Sequence, residues 1–402
     1  MITRRFLLQS AAAAAYSAQG FRGARAENAP GVTDTEIKIG QTIPYSGPAS
    51  AFGAIGRTET AYFKMINDQG GINGRKIDFI SLDDGYSPPK TVEQVRRLVE
   101  LEHVAFLANS IGTPQNAAVR QYCNDNKVPQ LFVQSGAPMF ADPQHYPWTI
   151  PGIPSYQTEA HIYAKHILST KPDAKIAVLY QNDDFGKGYL NGLRDVLGPD
   201  RAGMIVKEGS YETSEPTVDS QVVTLQASGA NVLIIAATPK FAAQAIRKSF
   251  DLGWAATRYL SYVSASVPAV MKPAGLEKSK GLISAPPGID VTDPRWKDTP
   301  DVLAWKAFTD KYMSRTEFVD ALAAAGFGNA ATIVQVLKQC GNDLSRENIM
   351  RQAANLKNFH APLLWPGVTI NTSPTNFSPI RDLQPAIFNG ANWEPVGELM
   401  SD

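Results

Sequence analysis

The sequence predicts an α/β protein built as two doubly wound, parallel-sheet lobes. Three observations predict it. Residues 36–84 read as one strand–loop–helix–turn–strand unit. Strand-like and helix-like segments then alternate twice along the chain. Proline-rich stretches separate the two series and restrict the backbone where they occur.

In order, residues 36–43 alternate, with Ile37, Ile39 and Ile43 on one face and Gln41 the polar exception, as in a short buried strand. Pro44-Tyr45-Ser46-Gly47-Pro48 breaks it as a loop. Residues 54–67 carry helical spacing through Ile55, Ala61, Tyr62, Met65 and Ile66, and Gly70-Gly71 ends that helix. Asn73-Gly74 turns the chain into a strand at 76–82, closed by Asp83-Asp84-Gly85. Helices at 91–101 and 113–126 alternate with strands at 104–108 and 130–133, and Gln134-Ser135-Gly136-Ala137-Pro138 forms the next loop. Residues 148–154 are a stiff crossing between lobes.

The second series has helices at 156–168, 186–197, 218–227, 240–252 and 267–272. Its strands fall at 175–180, 204–209, 231–236, 258–262 and 281–285. Pro286-Pro287-Gly288 marks a second crossing, and helices follow at 300–313, 320–339 and 345–354. Residues 360–372 and 382–393 read as strands of a meander. No repeat of solenoid length is visible.

The first residues read as a targeting segment. Arg4-Arg5-Phe6-Leu7-Leu8 is a twin-arginine pattern, a short apolar stretch follows, and Ala24-Arg25-Ala26 supplies a small-x-small cleavage site. An ordinary secretory signal containing two arginines is the alternative; both place the protein outside the cytoplasm. No cysteine stands at the cleavage site, which gives no sign of a lipid anchor. Loss of Arg4, Arg5, Arg22 and Arg25 from the 38 basic residues leaves 34 against 38 acidic ones. That balance argues against nucleic acid, whose binding needs a basic face. No later stretch reads as a membrane helix. Cys123 and Cys340 sit in helix-like segments and read as buried free thiols, with a Cys123–Cys340 disulfide as the alternative that export permits.

Catalytic signatures are missing: there is no GxSxG, no phosphate loop ending in GK[ST], no HExxH and no CxxC. His161 and His166, five apart on a helix, point about 140° from each other and do not share a metal. Gly186-Lys187-Gly188-Tyr189-Leu190-Asn191-Gly192 is a loose echo of a dinucleotide loop, better read as close helix–sheet packing. The sequence therefore predicts neither enzyme chemistry nor a cofactor nor a metal. Ser110 and Thr113 stand before and at a helix start, where unpaired backbone N–H groups favour an anion, and Ser135 and Gly136 stand one strand along.

The ordered run Pro44, Ser46-Gly47-Pro48, Gly53, Ile66-Asn67, Gly70-Gly71-Ile72-Asn73-Gly74-Arg75-Lys76-Ile77, Asp83-Asp84 resembles the leucine/isoleucine/valine-binding branch of the periplasmic solute-binding proteins. The resemblance implies the type I periplasmic-binding-protein fold, with two lobes joined by a three-stranded hinge. After a signal peptide at 1–26, residues 27–151 and 286–361 would form the N-terminal lobe. Residues 152–285 and 362–402 would form the C-terminal lobe. It implies a periplasmic monomer that delivers a small organic solute, branched-chain amino acid-like or an aromatic or aliphatic carboxylate, to an ABC permease and ATPase. It assigns the cleft to Ser46, Phe52, Ser110, Thr113, Ser135, Gly136, Tyr156, Asp184, Phe185, Thr238 and Tyr262, with the hydroxyls clamping a carboxylate. One departure concerns the ammonium of an amino acid, which the family holds with an acid after a late strand: residues 260–266 contain no Asp or Glu. A buried ammonium without such a partner is costly, so the expected ligand is a carboxylate without an α-amino group. A sensor acting in trans and an exported two-lobed enzyme are the alternative functions.

The export reading has a direct test. Replacing Arg4-Arg5 with Lys-Lys should strand the precursor in the cytoplasm, as read by cell fractionation. Undiminished export of that variant would refute the twin-arginine route.

Overall fold

The computed structural model describes residues 29–314 and 321–401. The targeting segment at 1–26 and the expected helix start at residue 320 lie outside the described residues. The first sheet contains β1 (Glu36–Ile43), β2 (Lys76–Asp83), β3 (Phe106–Ala108), β4 (Gln130–Val133) and β5 (Thr149–Pro151). Its order is β2-β1-β3-β4-β5, parallel throughout. Helices α1 (Gly53–Asp68), α2 (Pro88–Arg96) and α3 (Thr113–Asp125) connect its strands. Ile37, Ile39 and Ile43 are fully buried, as their alternation predicts, and so is Gln41. A strand covered on both faces has no solvent side to which a polar residue can turn.

The second sheet repeats the plan. Its parallel part is β6 (Ile176–Gln181), β7 (Ile205–Tyr211), β8 (Val232–Ala236), β9 (Thr257–Leu260) and β10 (Ile283–Ser284). Helices α4 (Tyr156–Thr170), α5 (Asp184–Leu197), α6 (Asp219–Ala227) and α7 (Pro239–Asp251) pack around it. Two antiparallel strands, β11 (Ala386–Phe388) and β12 (Trp393–Pro395), extend the edge beyond β10. Both parallel parts share one order: two strands swap places at one edge and the rest follow in sequence. The order reverses between β1 and β3 in one lobe and between β6 and β8 in the other. Such switch points leave a crevice outside the carboxyl ends of the strands.

After β10 the chain returns to the first lobe with α8 (Pro300–Tyr312), α9 (Ala321–Cys340) and α10 (Arg346–Ala353). Residues 286–289 and 363–365 run side by side: the Ile289 amide donates to the Leu363 carbonyl at 2.9 Å and the Trp365 amide to Pro287 at 3.1 Å. Cys123 and Cys340 are free and buried.

The structure departs from the sequence reading in three places. The expected helix at 91–101 begins earlier, at Pro88, because proline suits the first helical turn. It loosens into a π turn at Arg97–Leu101. The expected strand at 360–372 is an irregular segment held by the Phe359–Ile370 bridge; its prolines remove the ladder donors a strand needs. Finally, α9 has the length and apolarity to cross a bilayer, contrary to the expectation for this stretch. Fourteen of its residues are buried against protein, which makes it a core helix.

Helix α9 lies close against α1. A Cβ on Gly326 would stand 2.6 Å from the Ile55 carbonyl oxygen and 3.1 Å from Ile55 Cα. Backbone cannot swing aside as a side-chain tip can. Gly326→Ala should therefore destabilise the protein by about 1–3 kcal/mol, as overpacking does, read as a lower urea midpoint. An unchanged midpoint would show that the two helices are not held at this distance.

Candidate functional site

The carboxyl ends of both sheets face each other across a cavity of about 190 Å³. From the first lobe come Phe52 and Ile55 at the start of α1, Tyr86 after β2, Asn109 and Ile111 after β3, and Gln134 after β4. The second lobe contributes Tyr156, Phe185, Thr238 and Tyr262. One face of α9 closes the side with Leu322, Ala325, Gly328, Asn329 and Thr332, and Pro286 and Pro362 stand where the chain crosses. Most of these residues are apolar. Among the described residues no Asp, Glu, Lys, Arg or His lines the cavity.

The expected site residues divide into two groups. Phe52, Tyr156, Phe185, Thr238 and Tyr262 line the cavity. Tyr156 and Phe185 meet edge to face at 4.8 Å, which gives the second lobe an aromatic wall. Ser46, Ser110, Thr113, Ser135, Gly136 and Asp184 do not line it. Ser46 is exposed, and its hydroxyl donates to Asp83 at 2.6 Å. Ser110 is buried and accepts from the Thr42 amide at 3.2 Å. The Thr113 and Ser135 hydroxyls pair with each other at 2.7 Å, and both face the Tyr156 hydroxyl. Gly136 accepts from the Tyr156 amide at 3.0 Å, packed against the crossing. Asp184 points to solvent in the first turn of α5. The clamp expected for a carboxylate is thus occupied by the protein's own hydroxyls. The other motif reading concerned the glycines after β6. Gly186 approaches the Gln181 carbonyl so closely that a Cβ would sit 2.1 Å from it. Gly192 abuts Gln157 and Ala160 of α4. Both are packing glycines.

Two carboxyls stand behind the cavity walls, one in each lobe, and both are fully buried. Desolvation raises Glu59 from the usual 4.5 to about 8, opposed by hydrogen bonding from Gln41, Asn329 and Asn109. Desolvation likewise raises Glu159 to about 8, opposed by Tyr163, Tyr189 and the amides of Tyr262 and Ala285. Glu159 accepts from the Tyr163 and Tyr189 hydroxyls and from the Tyr262 amide at 2.9 Å. Asp183 caps α5 by accepting from Phe185 at 3.0 Å and Gly186 at 3.3 Å; burial raises its pKa. At the cleft mouth Asp83 behaves oppositely. Burial would raise it, but Ser46, Lys90 and the Gly85 amide hold it well below the usual carboxylate range.

Tyr86, Asn109, Gln134 and Asn329 are cavity residues that the sequence reading did not single out. Tyr86 follows Asp83-Asp84-Gly85 and takes a positive φ of 61°. Its ring crosses the cleft toward Gln181 and Asp183 of the second lobe, and burial pushes its hydroxyl well above its ordinary pKa. Asn109 is a strand-end residue at φ 53°, a conformation that asparagine tolerates better than most residues. Asn109 was legible as one residue of the loop after the third strand. Asn329 was not: it is one polar residue in an apolar helix from a distant part of the chain.

A family profile described as periplasmic binding protein matches residues 36–388. The Leu/Ile/Val-binding protein homolog 1 of Brucella abortus is 25% identical over 222 residues, 54% of this chain and 58% of that protein. The chain therefore matches a little over half the length of this curated relative. Among solved structures, a branched chain amino acid ABC transporter from Thermus thermophilus with bound valine superposes with a TM-score of 0.82. It is 17% identical and covers 92% of this chain and 98% of its own. A fatty acid ABC transporter substrate-binding protein from Thermomonospora curvata gives a TM-score of 0.77 at 20% identity, covering 94% and 95%. At these identities the structural likeness shows the fold.

The buried acids give a pH prediction. A carboxyl whose pKa is higher folded than unfolded stabilises the fold fully below its unfolded value, and that contribution is lost as pH rises through the folded value. Glu159 should therefore contribute less stability as pH rises from about 4.5 to about 8. The limiting slope is about 1.4 kcal/mol per pH unit. Glu159→Gln, which stays neutral, should show a shallower fall in melting temperature over that window than the parent protein. Parallel pH profiles would show that Glu159 is charged in the folded state.

Proposed function

The chain belongs to the periplasmic binding protein family, and we propose that it captures a small, mainly apolar organic solute between its lobes for delivery to an ABC-type importer. In this reading the mature protein works in the periplasm as a monomer. It binds its solute without chemical turnover, and the importer's permease and ATPase are its partners. The observation that carries the reading is the cavity itself, formed where the switch points of two sheets face each other. A ligand held there touches both lobes and α9, so it favours the closed arrangement by its differential contacts. Three chain crossings, at 151–154, 286–289 and 361–365, supply the hinge along which the lobes would part. The lining also supports binding over catalysis, because among the described residues no acid or histidine reaches the cavity.

The branched-chain ligands in the names of similar proteins suit the apolar walls. The lining supports a zwitterionic amino acid less, because among the described residues it presents no carboxylate for the ammonium. It supports a carboxylate less than the sequence did, because Thr113 and Ser135 bond to each other.

Tyr86 gives the mechanism its test. Reaching from the first lobe toward Gln181, it acts as a latch on the closed form. Tyr86→Phe removes only the hydroxyl and should weaken solute binding roughly 2- to 10-fold, the worth of one neutral hydrogen bond, measured by calorimetry. Small-angle scattering of the parent protein should show a smaller radius of gyration when saturated with solute. A radius unchanged by saturation, together with unchanged affinity in the variant, would rule out a clamshell latched by Tyr86.

A further inference from the structure

The wall of the cavity carries an acceptor that the protein leaves open. Gln134 follows β4, lines the cavity and keeps 9% of its surface exposed. Its Nε2 donates to the Phe132 carbonyl at 2.9 Å. A carbonyl only accepts, so the nitrogen must face it and the oxygen must take the other side. The nitrogen side is also the crowded one: a Cβ on Gly152, on the first crossing, would stand 2.7 Å from Nε2. No described residue donates to Oε1, and Oε1 is not among the unpartnered polar atoms shut away from solvent. It is therefore an acceptor that a solute in the cavity can reach.

The backbone is bent beside it. From Gln130 to Val133 the chain takes three steps along β4 against two along β5, from Thr149 to Pro151. Phe132 absorbs the extra residue at a positive φ of 52°, an outlier for a bulky side chain. Bulges re-aim the side chains around them, and this one brings the Phe132 carbonyl onto the Gln134 amide. The neighbouring polar side chains of the lining are engaged with protein. Tyr86 bonds to Gln181, and Tyr156 to Thr113 and Ser135. Thr238 donates to Gln181 at 3.3 Å and Tyr262 to the Pro154 carbonyl at 2.9 Å. Asn109 and Asn329 hydrogen-bond to Glu59.

A lone acceptor selects the group it meets. A carboxylate has no hydrogen to give and would set oxygen against oxygen. An ammonium can donate, but a buried cation needs more than one amide oxygen, and among the described residues no carboxylate lines the cavity. A carboxamide can donate too, but it brings a carbonyl that needs a donor of its own, and the side chains just named already bond to protein. A hydroxyl gives one hydrogen, carries no charge and is satisfied by that one bond far more nearly than the others are.

We propose that Gln134 is the polar anchor of the cavity, its Oε1 accepting a hydrogen bond from the hydroxyl of an otherwise apolar, uncharged solute. The rest of the solute lies against the apolar walls. This proposal rests on the solute-binding reading given above and narrows its ligand class to alcohols and phenols.

The test uses two matched pairs: 4-methylpentan-1-ol with 1-fluoro-4-methylpentane, and 4-methylphenol with 4-fluorotoluene. Fluorine replaces the hydroxyl at similar size and cannot donate. Each compound, with L-leucine and 4-methylpentanoate beside them, is titrated by calorimetry into unfolded, dialysed and refolded protein at pH 7. In at least one pair the hydroxyl compound should bind about 10-fold tighter than its fluoride, the worth of one buried hydrogen bond, and tighter than both charged compounds. The pair that shows it tells an alcohol from a phenol. Gln134→Met keeps the length of the side chain and removes the amide oxygen. It should bring that ratio close to one, whereas a general weakening of the fold would lower both affinities and keep the ratio. A ratio near one for both pairs in the parent protein, a ratio unchanged in the variant, or tighter binding of leucine or 4-methylpentanoate would each overturn the anchor and leave the solute-binding reading standing. Binding of none of the six would overturn the anchor too. Solute capture is then scored separately by melting-temperature shifts over a wider panel of solutes, where no shift at all would remove the solute-binding reading itself.

Discussion

Each lobe hangs its cleft wall on a carboxyl that water cannot reach. Glu59 stands in the first helix of the first lobe and Glu159 in the first helix of the second, and both are fully buried. An ionised carboxylate in such a place is costly without full hydrogen bonding. Raising its pKa to about 8 lets each group stay protonated at neutral pH, but a neutral acid still needs partners. The surrounding structure supplies them. Gln41 reaches Glu59 from the centre of β1. Tyr163, Tyr189 and the Tyr262 amide converge on Glu159. Satisfying one buried acid thus fixes a strand end or a turn at the cavity in each lobe. This explains why Gln41 interrupts an isoleucine face: an apolar residue there would leave Glu59 without its nearest donor.

The second network also ties the cavity to the crossing between lobes. Glu159 interacts with the Ala285 amide, next to the proline pair that leads out of the second lobe. Tyr262 lines the cavity and donates to the Pro154 carbonyl at 2.9 Å, on the first crossing. Two of the chain crossings are therefore bonded to the same few residues that a ligand would touch. Buried networks of this kind are stiff when fully satisfied. A change at the Tyr262 wall reaches the hinge within one or two hydrogen bonds, without passing through the core of either sheet.

Much of the fold was legible because it depends on local signals. Strand and helix periods, turn glycines and proline crossings are written within a few residues of where they act, and nearly every strand and helix fell within a few positions of its expected bounds. The tail failed for a physical reason. Residues 360–372 hold β-branched residues at suggestive spacing, but their prolines and the pairing of residues 363–365 with 286–289 left no ladder to join. The cavity was half legible. Phe52, Tyr156, Phe185, Thr238 and Tyr262 follow from the rule that ligands lie beyond strand carboxyl ends. Ser110, Thr113 and Ser135 sit in the right loops, yet which way a hydroxyl turns depends on what packs beside it. For Thr113 and Ser135 the neighbour is Tyr156, a residue from the other lobe. No spacing in the first lobe encodes that.

The same reasoning explains why α9 matters and why it was missed as a site element. Its composition is what a close wall requires: alanine and glycine let the helix backbone approach α1 and the cavity, as Gly326 does against Ile55. A stripe of small residues reads in sequence as generic core, and here most of it is core. One turn beyond Gly326, however, the same closeness brings Asn329 to the cavity beside Glu59 and Asn109. A bulkier helix would hold that amide too far away. The apolar stretch that resembles a membrane span is therefore the element that lets a residue from the return segment, more than two hundred positions along the chain from Asn109, share a cavity wall with the opening βα unit.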